Sequence, residues 1–176
     1  MMAVSNFLKR YKFSLTYFLL VPLVNWAFSW APVWPLPDGG GWTPFAIVTG
    51  LVLVFRDFAQ REIGHNILFL LLAGVAISYF MAAPEIAIVS GIAFLVSELV
   101  DWAVYTLSER PLSRRIIISS LISAPLDTTI FLYGADMVVP GIFTHFTLVA
   151  SVLSKLLGAA FVAYLVAQRE KTLSII

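Results

Sequence analysis

Apolar residues run along this chain in six stretches: about Ser14–Trp30, Thr43–Phe58, Gly64–Met81, Pro84–Leu107, Ile116–Tyr133 and Phe143–Ala167. A helix needs roughly 20 apolar residues to cross the hydrocarbon core of a bilayer. The pattern therefore predicts an all-α integral membrane protein, with six transmembrane helices filling residues 1–176 as a single domain. The second stretch is the most polar; it carries Arg56 and Asp57 near its end and can continue as one helix through Gln60 and Arg61. Proline and glycine punctuate the joins at Pro32–Gly41, before Pro84 and at Asp136–Gly141. The apolar start at Phe13 leads into further spans and not to a small-residue cleavage site, which predicts a retained helix and not a signal peptide.

Composition sharpens this picture. Of the 176 residues 60% are hydrophobic and 12% charged, with mean hydropathy +0.94, far from the balance of a water-soluble domain. A net charge of +1 supplies no basic surface for phosphates, which excludes nucleic-acid binding. With no cysteine there is no disulfide, thiolate metal site or cysteine nucleophile. Lys and Arg are retained on the cytoplasmic side of a membrane. Lys9, Arg10, Lys12, Arg56, Arg61, Arg110, Arg114, Arg115, Arg169 and Lys171 all fall on one side of a six-span arrangement, whereas the opposite loops carry Asp38, Glu85 and Asp136. Both termini are therefore expected in the cytoplasm. A five-span alternative, with the second stretch re-entrant, moves Arg110, Arg114 and Arg115 outside and is disfavoured. Trp26, Trp30, Trp34 and Trp42 cluster where the outer interface is expected, as anchors.

Ionisable groups inside a span are costly and turn toward a bundle interior or a water-filled cavity. Glu98, Asp101 and Tyr105 share one face of the fourth span, and Ser120, Ser123 and Asp127 one face of the fifth. The sixth carries a stripe of Thr144, Thr147, Ser151, Lys155 and Gly158. At about 1.5 Å per residue, Asp127 and Lys155 fall near the midplane, with Glu98 and Asp101 progressively nearer the cytoplasm. The charges are expected to converge on one zone, with Lys155 balancing the three acids and Arg56 and Asp57 closing its cytoplasmic end. Two plainer readings stand beside that one: Asp127 with Lys155 as an ion pair that locks helices, and Arg56, Asp57, Arg61 and Glu62 as interfacial snorkelling. His65 and His145 lie near opposite faces without neighbours at ligand spacing, so no metal site is expected. No His-Glu-x-x-His, Gly-x-Ser-x-Gly or phosphate loop is present, which argues against an enzyme, a cofactor or an ATPase.

Three polar motifs then appear in order: Phe55-Arg56-Asp57-Phe58-Ala59-Gln60-Arg61-Glu62-Ile63-Gly64, Ser97-Glu98-Leu99-Val100-Asp101-Trp102-Ala103-Val104-Tyr105, and Arg115 through Ser123-Ala124-Pro125-Leu126-Asp127-Thr128 to Phe131. Together, over about residues 43–170, they resemble the VUT family of queuosine precursor transporters. Ser119-Ser120 stands where that family pattern has Ser-Asn. The resemblance implies uptake of 7-cyano-7-deazaguanine (preQ0) or 7-aminomethyl-7-deazaguanine (preQ1) across a bacterial cytoplasmic membrane, for tRNA-modification salvage. It also implies a six-helix fold similar to vitamin-binding S-components. The expected substrate contacts are Glu98, Asp101, Asp127, Tyr105, Lys155, Arg56, Asp57, Gln60 and Ser123. A carboxylate accepts the paired N–H groups of a guanine-like edge; Glu98, Asp101 or Asp127 supplies it, while Tyr105 or Phe131 stacks on the base. An S-component docks on an ATPase through small residues of its first helix, but Ser14–Pro22 has no small-residue seam and Ala27 and Ala31 come late. A solitary transporter is the expectation, with the S-component-like subunit and a non-transporting scaffold as alternatives.

Overall fold

The computed structural model describes residues 7–28, 30–81 and 84–173. Their longer α-helices are α1 (Lys12–Phe28), α2 (Phe45–Ile63), α3 (Ile67–Met81), α4 (Pro84–Leu107), α5 (Leu112–Val138) and α6 (His145–Leu173). Each helix follows one of the six apolar stretches. Between α1 and α2 a short antiparallel hairpin pairs β1 (Trp34–Pro35) with β2 (Gly41–Trp42), in the register Trp34 opposite Trp42. Gly39 turns it at φ +83°, a left-handed conformation that glycine adopts without strain. A 3₁₀ turn at Gly64–Asn66 joins α2 to α3.

Helix lengths depart from the apolar stretches at their ends. α5 runs on through Asp136, where a break was expected, because the Asp136 carboxylate accepts the backbone N–H groups of Gly141 and Phe143 and so organises the turn after the helix. Membrane-crossing length and hydropathy are met by the described part of α4, by α5 and by α6. α1 has 17 residues and α3 has 15, while α2 reaches 19 only by including Arg56, Asp57, Arg61 and Glu62. The side chain of Glu85 and residue Ser29, both used in the sequence reading, lie outside the described residues.

The helices form a closed ring in which α1 packs on α2 and α3, α3 on α4, α4 on α5, α5 on α6, and α6 back on α2. α2 also reaches across the ring to α4 and α5. Two side-chain ties mark one end of this bundle. Glu62 accepts the backbone N–H groups of Phe13 and Ser14 at 3.1 and 2.9 Å, and Glu170 accepts the Ser113 hydroxyl at 2.5 Å. The basic segments around Lys12, Arg61, Arg115 and Lys171 gather there, and the hairpin occupies the other end. Helix crossings are closest where glycines sit. A Cβ on Gly50 of α2 would strike the Lys155 backbone of α6, and one on Gly158 would come within 2.8 Å of the Ile47 carbonyl. The stripe of small and polar residues on α6 thus lets α2 approach backbone to backbone.

Candidate functional site

At the hairpin end the ring encloses a partly open cavity of about 800 Å³. Its walls are apolar, with Val24, Phe94 and Phe131 prominent, and its rim is made by the hairpin and by Pro140–Ile142. Asn25, Thr49, Ser90, Thr147 and Ser151 supply neutral polar groups. Among the described lining residues, Asp127 and Lys155 carry the formal charges. Asp127 lies 11 residues before the end of α5 and Lys155 10 after the start of α6, so both sit about 15 Å below the rim. They form the floor.

That floor is hydrogen-bonded from three helices. The Lys155 ammonium donates to Asp127 and, at 2.9 Å, to the Thr128 hydroxyl. Ser97 of α4 donates to the other Asp127 oxygen at 3.3 Å. The Asp127 side chain nevertheless keeps 18% of its surface accessible, so its carboxylate can meet a ligand from above. Higher in the cavity, Ser90 donates to the Asn25 amide oxygen at 3.2 Å. Neither Asn25 nor Ser90 was among the expected site residues. The available signal was the seven-residue spacing that puts Ser90 and Ser97 on one face of α4, and a single amide, Asn25, toward the end of α1.

The hairpin is fastened to α6 on one side of the mouth. Gly41 N–H donates to Thr147 at 3.1 Å, Trp42 Nε1 donates to Ser154 at 2.8 Å, and Asp38 accepts the backbone N–H of Phe146 at 2.9 Å and of Gly40 at 3.2 Å. A Cβ on Gly40 would collide with the Thr144 and Thr147 hydroxyls, so glycine permits this seat. Against desolvation, which pushes it up, the hydrogen bonds from Phe146, Thr144 and Gly40 hold the Asp38 carboxyl below its ordinary range. Trp26, Trp30 and Trp34 are exposed, as interfacial anchors should be, whereas the Trp42 indole N–H is used inside the molecule.

Deeper in the bundle lies a second charged cluster with no share in the cavity lining. Arg56 of α2 is 1% exposed, which corrects the snorkelling reading: α2 crosses the ring, so Arg56 points into it. Its guanidinium lies 2.9 Å from Asp57, 3.1 Å from Glu98 and 3.2 Å from Asp101, and Asp57 also accepts the Ser119 hydroxyl at 3.3 Å. The expected single zone is therefore two clusters. Arg56 faces three acids below, and Lys155 balances Asp127 alone above. The division has a simple cause. Glu98 and Asp101 are three residues apart on α4 and face α2, whereas Asp127 faces α6 across the cavity floor.

The remaining expected residues also lie below the cavity. Gln60 donates to Thr106 at 2.9 Å. Tyr105 is buried among Val54, Ile116 and Ala159, with the Arg115 guanidinium 4.9 Å from its ring centre, so no base stacks on it from the cavity. Ser123 is fully buried without a hydrogen-bond partner. His65 accepts the Trp102 indole N–H at 3.2 Å. Phe131, named with Tyr105 as a stacking candidate, is on the cavity wall.

Residues 43–167 match the sequence model of the family described as "Putative vitamin uptake transporter", which covers α2 through most of α6. No curated protein matches the chain, and no solved structure does.

Proposed function

From the premise that the chain belongs to the vitamin uptake transporter family, and is thus a membrane transporter of a small molecule, we propose that it imports a queuosine precursor across a bacterial cytoplasmic membrane. In this reading residues 1–176 form one domain whose six helices all cross the bilayer. The basic end and both termini lie in the cytoplasm, and the hairpin lies outside. The cavity carries the argument. A dry-walled space of about 800 Å³ with one accessible carboxylate at its floor suits a flat, donor-bearing base. Asp127 accepts the ring N–H and exocyclic amine of the deazaguanine, while Phe94 or Phe131 stacks on the ring. Lys155 already neutralises Asp127, so the floor holds no spare negative charge for an ammonium. This favours neutral preQ0 over cationic preQ1. Glu98, Asp101, Arg56, Asp57, Gln60, Tyr105 and Ser123 act from below the cavity and not as direct contacts.

The test is binding of labelled preQ0 to purified protein, with preQ1 and guanine as competitors, followed by uptake in cells that make neither precursor. Saturable preQ0 binding that weakens in Asp127→Asn, with uptake and no added ATPase module, is the expected result. Absence of preQ0 binding to folded protein removes the substrate assignment. Uptake only on addition of an ATPase partner replaces the solitary transporter by the S-component-like subunit.

A further inference from the structure

Beneath the cavity floor one guanidinium confronts three carboxylates in a space that water does not reach. Arg56, Asp57, Glu98 and Asp101 are each at most 1% exposed. Fully ionised, the group would hold two uncompensated negative charges. A low-dielectric interior does not tolerate such an excess; it takes up a cation or a proton instead. The hydrogen-bond geometry shows which acids are short of a partner. Asp57 receives both an Arg56 N–H and the Ser119 hydroxyl. Glu98 Oε1 and both Asp101 carboxylate oxygens receive no hydrogen bond of good geometry, although Arg56 lies 3.2 Å from Asp101 Oδ2. The Tyr17 hydroxyl of α1, wholly buried and without a hydrogen bond of good geometry, faces Glu98 of the same group. It carries no positive charge to balance the acids, but it can accept or donate as Glu98 changes state.

We propose that Glu98 and Asp101 form a proton-binding site, with Arg56 as its fixed counter-charge, through which substrate movement is coupled to proton movement. The ligand is one proton, bound reversibly: an O–H bond forms on a carboxylate when the site faces the hairpin side and breaks when it faces the basic end. The groups facing the pair are Tyr17 from α1, Arg56 and Asp57 from α2 and Ser119 from α5. Asp127 lies one step away, because its partner Ser97 adjoins Glu98 on α4. That adjacency supplies the coupling. Protonation weakens the Arg56–Glu98 and Arg56–Asp101 attractions that tie α2 to α4, and the same stretch of α4 holds the carboxylate at the cavity floor. Substrate and proton then bias one helix arrangement together, and linkage makes the effect reciprocal.

This inference rests on the import reading, so its test includes one measurement that needs no substrate. Infrared spectra of purified protein across a pH titration report protonated buried carboxyl groups directly. A carboxyl signal that persists at neutral pH in the wild type and is absent from the Glu98→Gln/Asp101→Asn pair is expected. If no such signal exists, the proton site is overturned whatever the substrate proves to be. In proteoliposomes, labelled preQ0 should accumulate under an acid-outside gradient and be released by a protonophore. Glu98→Gln or Asp101→Asn should lower accumulation by about 5- to 150-fold, the span of an ordinary site-to-site coupling. Counterflow exchange at equal pH should fall far less. Accumulation that follows a sodium gradient, or that stays proton-driven in both variants, overturns the proposal. A carboxyl signal together with no preQ0 binding removes the substrate reading and leaves the proton site standing.

Discussion

The two charged clusters share α4 and α5 and differ in how the bundle closes around them. At the cavity floor, Asp127 and Lys155 are matched one to one, hydrogen-bonded by Thr128 and Ser97, and still touch open space. Below them, Arg56 is outnumbered and sealed at 1% exposure. A matched pair at the floor of an open cavity costs little to keep, because either partner can regain water. A sealed, mismatched group survives only while its one cation stays in place. On the proposed reading the upper cluster exchanges one partner for another, and the lower changes its proton content.

Removing the cation is the hardest test of that contrast and has the largest expected effect. Arg56→Met strands the buried acids, and breaking a buried ion pair by deleting one partner costs about 3–5 kcal/mol. Thermal unfolding of purified protein should show a large loss. Adding Glu98→Gln and Asp101→Asn to Arg56→Met should recover much of it, because the surplus charge has gone. Failure of the triple variant to recover would mean that Arg56 acts through packing.

Asp127→Asn comes next and should show up in affinity more than in folding. It turns an acceptor oxygen into a donor that confronts the ligand's own donors. An unpaired buried donor costs about 1–3 kcal/mol, or roughly 5- to 150-fold in Kd. The Lys155 ammonium left behind can reach cavity water, so the unfolding temperature should move much less than in Arg56→Met. Equal damage to stability in both would erase the distinction between the clusters.

The sequence made most of the helices legible, because hydropathy and length speak directly. It also made legible that the acids turn inward and that α6 carries a polar stripe. It did not show that the acids part company. Depth along a helix can be counted at a fixed rise per residue, but the direction in which a helix leans cannot. α2 leans across the ring, which takes Arg56 from an apparent interface position to the centre and hands it Glu98 and Asp101. Asn25 and Ser90 were missed for a related reason. Ser90 shares a face of α4 with Ser97, seven residues on, but Asn25 stands apart on α1, and only the packing of α1 beside α4 brings the amide and the hydroxyl together.

The upper cluster depends on how closely α2 approaches α6, because Gly50 lies against the Lys155 backbone. Gly50→Ala drives a Cβ against the Lys155 backbone, and overpacking of this kind costs about 1–3 kcal/mol. Pushing α6 outward also moves Lys155 relative to Asp127. The variant should therefore lose both thermal stability and preQ0 affinity, whereas Gly91→Ala, whose Cβ would meet Val75 at an ordinary 3.4 Å, should keep its thermal stability. Similar behaviour of the two variants would show that α2 has room to shift.

The smallest effect is expected at the hairpin, far from both clusters, and it is a pH effect. Asp38 fastens the hairpin to the start of α6 through the N–H of Phe146 and accepts from Gly40 within the hairpin, and both bonds favour its ionised form. Its folded-state value accordingly lies below the ordinary one. A group depressed in this way contributes stability that is fully present above its unfolded value, about 3.9, and is lost as pH falls through the lower folded value. At neutral pH the hairpin should be closed, and in acid below the ordinary aspartate range it should loosen. Hydrogen exchange reads this locally: the Gly41 amide, held by Thr147, should exchange faster relative to its intrinsic rate in acid, while amides near Glu98 keep their protection. Asp38→Asn retains an acceptor oxygen but no charge, so it should raise Gly41 exchange modestly at neutral pH and abolish the acid dependence. If Gly41 protection in the wild type is the same in acid as at neutral pH, the hairpin is held by Thr147 and the Trp42–Ser154 bond without Asp38, and the mouth of the cavity is indifferent to that carboxylate.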